Sequence, residues 1–150
     1  MLFGTIFGDI VGSQYECNCV KNNDFDLITD RIRFTDDTVM TLAVASWLIK
    51  DKNNPTVLIK ELQYYGNRYP HAGYGGSFAR WLRSEVPQPY YSYGNGSAMR
   101  VSPCAWVAKS LEECQYLAEI SASVTHNHPE GIKGAQSVAS ANYMARQGYS

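Results

Sequence analysis

No strand pattern, no long apolar run, no excess of charge and no metal-type cysteine spacing are found in this chain, and each absence removes a class of function. Thirteen Lys and Arg stand against fourteen Asp and Glu, so there is neither the basic footprint of a nucleic-acid binder nor that of a protein held on anionic membrane. No apolar stretch approaches membrane-spanning length. Met1-Leu2-Phe3-Gly4 carries no Lys or Arg ahead of its apolar residues, and Asp9 interrupts them early, which argues against a secretory signal. The cysteines Cys17, Cys19, Cys104 and Cys114 match no zinc spacing. A C-x-C pair is also a poor disulfide candidate, so reduced thiols in a cytoplasm are expected. What remains is 150 residues with 45% apolar content, enough for one core and one domain over residues 1–150.

Helical periodicity organises almost the whole chain, and the expected class is all-α. Phe3, Ile6, Phe7, Ile10 and Val11 make the apolar face of a first helix over about Phe3 to Tyr15. Gly4, Gly8 and Gly12 recur along it at every fourth residue, a pattern that suggests close approach of another backbone or a ligand. The segment from Cys17 to Arg33 reads as an irregular loop. A second helix runs to about Lys50, and a third opens at Asn54-Pro55 and is expected to stop at Gly66. Further helices are predicted from Phe78, from near Ala98 with a kink at Pro103, from the capping box Ser110-Leu111-Glu112-Glu113, and from Pro129 to about Arg146 with Gly148 as its C-cap.

Thr35-Asp36-Asp37-Thr38 heads the second helix and packs two carboxylates and two hydroxyls into one turn. Taken alone this is good capping chemistry. Asp9 and Glu16 change its weight: seven residues apart on the first helix, they share a face, so four acids are expected to converge where a cation could sit. Two further loops carry candidate chemistry. Gly94-Asn95-Gly96-Ser97, placed before a helix, could offer unpaired N–H groups to a diphosphate, although an Asn-Gly turn between helices is also ordinary. Tyr74-Gly75-Gly76-Ser77-Phe78 could wrap an adenosine or simply turn. His126 and His128, two apart in a non-helical segment, lack a third nitrogen or sulfur partner. Capping or substrate hydrogen bonding is therefore favoured over zinc.

Five blocks in this order resemble the ADP-ribosylglycohydrolase family, the relatives of dinitrogenase-reductase-activating glycohydrolase. They are Gly8-Asp9-Ile10-Val11-Gly12 with Glu16; Phe34-Thr35-Asp36-Asp37-Thr38; Tyr74-Gly75-Gly76-Ser77-Phe78; Gly94-Asn95-Gly96-Ser97-Ala98-Met99-Arg100; and Thr125-His126-Asn127-His128-Pro129-Glu130-Gly131. The resemblance implies an all-α, multi-helix orthogonal bundle with a dinuclear magnesium site, Mn2+ being the alternative ion. It also implies hydrolysis that releases ADP-ribose from a modified protein side chain or small molecule. By the same resemblance Thr35, Asp36 and Asp37 are metal ligands, and Glu16 and Asp36 carry the catalysis. Glu16 would act as general base or orient the water, with Asp9 in support. Gly94, Asn95, Gly96, Ser97 and Met99 would hold the diphosphate, Gly75, Gly76 and Phe78 would line the adenosine side, and His126 would face the cleft.

The family's second acid block, Gly-Asp-Asp or Asp-x-Asp-Thr, has no counterpart between Gly131 and Ser150. The chain therefore reads as the N-terminal half of such a domain or as a shortened gene product. That leaves a noncatalytic nucleotide-binding or crystallin-like structural relative as the alternative function. It also leads to an expectation of weak metal binding and of self-association through apolar faces that lack partners.

Overall fold

Thr35 shows how this sequence starts a helix: its backbone is extended, its hydroxyl accepts the Asp37 N–H at 3.2 Å, and Asp36 and Asp37 sit in the first turn where the helix dipole favours negative charge. The computed structural model describes residues 2–16, 21 and 24–149, so Cys17 and Cys19 lie outside the described residues. Among the described residues seven α-helices are found: α1 (Leu2–Gly12), α2 (Asp36–Asp51), α3 (Pro55–Arg68), α4 (Gly76–Leu82), α5 (Ser102–Val107), α6 (Leu111–Ser123) and α7 (Pro129–Arg146), with 3-10 turns at Ser13–Tyr15 and Asn95–Ser97. Among the described residues there is no strand, so the protein is all-α as expected.

The helices are delimited by the chemistry their sequences carry. Asn54 caps α3 through Thr56 N–H at 3.0 Å, ahead of Pro55. Ser110 caps α6 through Glu113 N–H at 3.1 Å, while the Glu113 carboxylate turns back to Lys109 N–H at 2.7 Å and also pairs with Lys52. The C-terminus of α7 closes in a Schellman motif: Gly148 has φ +89°, and Tyr149 N–H reaches Met144 O while Gly148 N–H reaches Ala145 O, each at 3.1 Å. Arg146 satisfies the carbonyls left open at the end of α5, donating to Ala105 O at 2.8 Å, Trp106 O at 2.7 Å and Ala108 O at 3.0 Å.

The core lies between two tightly packed pairs, α2 with α3 and α6 with α7, with α5 wedged between α2 and α7. Met40, Val44 and Trp47 of α2, Leu58 and Leu62 of α3 and Leu117 of α6 are fully buried. Ala135 and Ala139 let α7 approach α6 closely. Cys104 and Cys114 are free thiols inside this core, where burial pushes Cys114 up to about 11 and Cys104 further in the same direction. Both are inert packing groups.

Three expectations are corrected. Gly66 does not stop α3, which continues to Arg68. A Cβ at Gly66 would sit 2.6 Å from both Leu82 methyl carbons, so the glycine admits the end of α4 against α3. No helix begins at Ala98: the chain makes a 3-10 turn and starts α5 at Ser102, with Pro103 in its first turn, where a missing N–H costs nothing. Finally, no backbone or side chain among the described residues approaches Gly4, Gly8 or Gly12, since a Cβ at any of them would meet nothing of these within 4 Å. α1 leaves Phe3 and Phe7 exposed and buries no residue.

The packing of α2 on α3 is centred on Trp47, whose ring is buried and whose Nε1–H donates to Asn54 O at 3.1 Å across the turn between the two helices. Trp47→Ala is expected to lower unfolding free energy by about 3–5 kcal/mol, measured by denaturant titration.

Candidate functional site

The acidic end of the site is built by one carboxylate of α1 holding the first turn of α2. Asp9 Oδ2 accepts Thr35 N–H at 2.8 Å, Thr38 N–H at 3.2 Å and the Thr38 hydroxyl, and Oδ1 accepts the Thr35 hydroxyl at 2.6 Å. A carboxylate receiving four donors at a helix N-terminus is favourably placed by both hydrogen bonding and the helix dipole. Thr35 is buried, gives its proton to Asp9 and accepts from Asp37 N–H, which leaves it one lone pair for a further partner.

Asp36 and Asp37 follow, both half-buried. Burial and, next, the charge of Asp37 push Asp36 up to about 6, with Glu16 and Asp9 adding to the effect against its backbone hydrogen bond. Asp37 is raised by burial and then by Asp9 and Glu16. Among the described residues no Lys or Arg pairs with any of these acids. The four carboxylates are thus within electrostatic reach of one another. They do not form a closed cage, however: among the described residues no three His, Cys, Asp or Glu side chains gather closely enough to hold an ion by themselves. Asp9 is engaged by the two threonines, and Glu16 is exposed at the end of the Ser13–Tyr15 turn. The donors are hard oxygens with unbalanced negative charge, which fits magnesium or manganese in type and leaves most positions of an octahedral ion to water or other oxygens.

From Asp36 a cavity of about 290 Å³ extends along the start of α4 to the Asn95–Ser97 turn and His126. Of the residues singled out in the sequence, Asp36, Gly75, Gly76, Phe78, Gly94, Asn95, Gly96, Met99 and His126 line it. Ser97 does not: it is buried, with its hydroxyl donated to Gly131 O at 2.9 Å. Asp9, Glu16, Thr35 and Asp37 lie outside the lining. The Asp36 end is shaped by the Tyr69–Gly73 turn, tied down by Asp36 N–H donating to Ala72 O at 2.8 Å. Gly73 has φ +110°, a backbone only glycine takes easily, and a Cβ there would come within 3.3 Å of the Asp36 carboxylate.

At the other end the Gly94–Ser97 loop opens a 3-10 turn, Asn95–Ser97, and not an α-helix. The N–H groups of Ala98 and Met99 are already donated to Asn95 O, at 2.8 and 3.0 Å. Phe78 stacks on Trp81, with ring centroids 5.5 Å apart and planes 10° off parallel, and contributes to the cavity wall. His126 is buried and His128 is not its partner in a metal site: His128 Nδ1 caps α7 by accepting Glu130 N–H at 3.0 Å. Gly131 lets these segments meet, since a Cβ on it would lie 2.7 Å from Ser92 O and 2.9 Å from His126 O.

Sequence reasoning missed Arg100, Tyr90, Ser92 and Ser77, which also line the cavity. Arg100 had a signal: a single cation inside the apolar run Ala98-Met99-Arg100-Val101 has to be buried with partners or face a ligand. It is buried, its guanidinium lies 5.9 Å from the Phe78 ring centroid, and burial pushes its pKa down to about 10.

Two outcomes test this geometry. Asp9→Ala strands the Thr35 and Thr38 donors and is expected to destabilise the fold by about 2–3 kcal/mol in denaturant titrations. Asp36 titrates near 3.8 unfolded and about 6 folded, so the folded state binds its proton more tightly and ionisation weakens the fold as pH rises through that window. With chelator present, Asp36→Asn should therefore raise the melting temperature at about pH 7 and leave it unchanged at about pH 4.

Comparison with known proteins agrees with this architecture. A family model described as ADP-ribosylglycohydrolase matches residues 1–149. Over 180 aligned residues the chain is 30% identical to the ADP-ribosylhydrolase ARH3 of Mus musculus, the alignment covering 99% of this chain and 49% of that protein. For the Homo sapiens protein of the same name the identity is 29%, over 99% of this chain and 50% of that protein. For the Danio rerio protein it is 26%, over 98% and 47%. The chain thus spans about half the length of the curated relatives it matches. With an all-helical fold and a family match along nearly its entire length, the chain belongs to the ADP-ribosylglycohydrolase family.

Proposed function

We propose that this chain carries the ADP-ribose-binding half of a magnesium-dependent hydrolase that removes ADP-ribose from modified protein side chains or small molecules in the cytoplasm. The observation that carries the reading is the polarity of one cavity: a carboxylate, Asp36, stands at one end, and glycine-lined backbone, a buried arginine and a buried histidine stand at the other. That arrangement suits a ligand with a sugar to be cleaved at one end and an anionic diphosphate further along. The ARH3 relatives, hydrolases by name, support the same class.

Thr35, Asp36 and Asp37 would hold the cations, two in a complete site, with Mn2+ as the alternative ion. A divalent cation there would offset the repulsion that raises Asp36 and Asp37 and would lower the pKa of bound water toward neutrality. Glu16, exposed and close enough for its charge to act on both acids, would take a proton or orient the water. Asp9 would keep α2 in register by holding Thr35 and Thr38. Phe78 would line the adenosine side of the cavity, and Gly75 and Gly76 would let the ligand pass close to the backbone. The diphosphate would lie against Gly94, Asn95, Gly96 and Met99, with Ser97 acting only through the shape of the turn.

A noncatalytic ADP-ribose-binding protein, or a crystallin-like structural relative, is the second reading. It is favoured by the small donor set, two carboxylates and one hydroxyl, that α2 presents by itself. Self-association would use the exposed Phe3 and Phe7 of α1.

Calorimetric titration with ADP-ribose separates these from an unrelated function. Wild type should bind, and Gly96→Leu should weaken binding at least about tenfold, because a Cβ there already comes within 3.0 Å of His126 Nε2. Equal affinities would remove the loop from the site. In a longer chain that supplies a second Asp-rich block, magnesium-dependent release of ADP-ribose should appear and be lost in Asp36→Ala, whereas the present chain should turn over poorly. Robust turnover that resists chelator would overturn the metal reading; binding with no turnover in either chain would leave the noncatalytic one.

A further inference from the structure

Arg100 is a buried guanidinium with no carboxylate partner among the described residues. Its hydrogen bonds go to neutral oxygens: Nε to Ser121 Oγ at 3.3 Å, and Nη2 to Ser121 O and to Thr125 Oγ1, the last at 2.9 Å. A guanidinium only donates, so Thr125 Oγ1 accepts from it and must send its own proton elsewhere. Two acceptors are in reach, Ala122 O at 3.5 Å and His126 Nδ1 at 2.7 Å. Ala122 O already accepts the backbone N–H groups of Thr125 at 3.0 Å and His126 at 2.7 Å, which occupy its two lone pairs. The Thr125 proton therefore goes to His126 Nδ1, which must be bare, and the ring proton must be on Nε2.

The ring itself is neutral near pH 7, because burial, and after it the charge of Arg100, push its pKa down to about 4. Nε2 is the atom turned to the cavity loop: a Cβ would come within 3.0 Å of it from Gly96 and 3.9 Å from Gly94. We propose that Arg100 and Thr125 are positioning residues that act through His126, holding its ring proton on Nε2 so that the cavity offers a fixed N–H donor, backed by a buried positive charge, to an anionic oxygen of phosphate type. The two effects reinforce each other, since the guanidinium that orients Thr125 is also the uncompensated charge that an anion would balance. Calling that anion the diphosphate of ADP-ribose rests on the function proposed above, whereas the tautomer does not.

The test uses 15N-histidine-labelled protein and long-range 1H–15N correlation spectra, which distinguish a protonated from a bare ring nitrogen, together with ADP-ribose and adenosine titrations. Wild type is expected to show bare Nδ1 and protonated Nε2 at His126. Thr125→Val, close in volume but without the hydroxyl, should shift the ring toward the Nδ1–H form and weaken ADP-ribose about tenfold, with adenosine unaffected. Thr125→Ser should restore both. A wild-type His126 with its proton on Nδ1 overturns the proposal even if Thr125→Val fails to fold, and so does a folded Thr125→Val with unchanged tautomer and affinity. Protonated Nε2 in wild type, lost in Thr125→Val, supports it. If such a protein fails to bind ADP-ribose, the loss falls on the ADP-ribose reading alone.

Discussion

The contact on which the site depends is the grip of one α1 carboxylate on the first turn of α2. Asp9 takes up backbone and side-chain donors of both Thr35 and Thr38, so α1, which contributes no buried residue of its own, is held to the body of the protein largely through a polar clamp. That clamp sets the direction in which Asp36 and Asp37 leave the helix. It also brings a third negative charge toward them, which helps to keep both pKa values raised. A structural carboxylate would ordinarily be placed to neutralise a cation. Here it sharpens a repulsion that a bound cation could relieve.

α2 connects this strained end to the interior. One to three turns below the acids its residues Met40, Val44 and Trp47 are fully buried, and Ser46 and Lys50 bind Glu61 of α3, each at 2.6 Å. Burial alone would raise Glu61, but those two partners prevail and hold its carboxyl below the usual range. Along α2, then, a carboxylate is stabilised as an ion where the helix offers it partners, as Ser46 and Lys50 do to Glu61 of α3, and destabilised where acids crowd together, as at Asp36 and Asp37. The first case is structural and the second has the signature of a site.

Local chemistry made the helices readable. Caps at Thr35, Asn54 and Ser110, prolines in first turns and the Gly148 C-cap each act within one turn, so their consequences do not depend on the rest of the chain. The misreadings occurred where a residue's role is set from far away. Gly66 looks like a stop until Leu82 is seen against it, and the Gly94–Ser97 loop looks like the start of an α-helix until it is seen to make only a 3-10 turn, closed by the Ala98 and Met99 N–H groups on Asn95 O. In the site, the glycines, Phe78 and His126 were legible from their motifs and do line one cavity, but Ser97 turned to Gly131 instead. Arg100 carried a signal in its apolar run, but a sequence does not reveal whether such a charge meets a carboxylate or, as here among the described residues, only neutral oxygens.

The cavity's polarity follows from that distribution. Negative charge is concentrated where Asp36 meets Asp37, Glu16 and Asp9, and positive charge where Arg100 lies beneath Thr125 and His126. Both are partly or wholly removed from water, so their fields are screened less than those of surface charges. A ligand that is anionic along its length would be drawn to the Arg100 end and repelled from the acids until a cation neutralises them. Binding and cation uptake would then be coupled with a positive sign, each favouring the other through the same carboxylates. The acids need no direct contact with an anion to influence it, because their charge acts on it through a cavity partly removed from water.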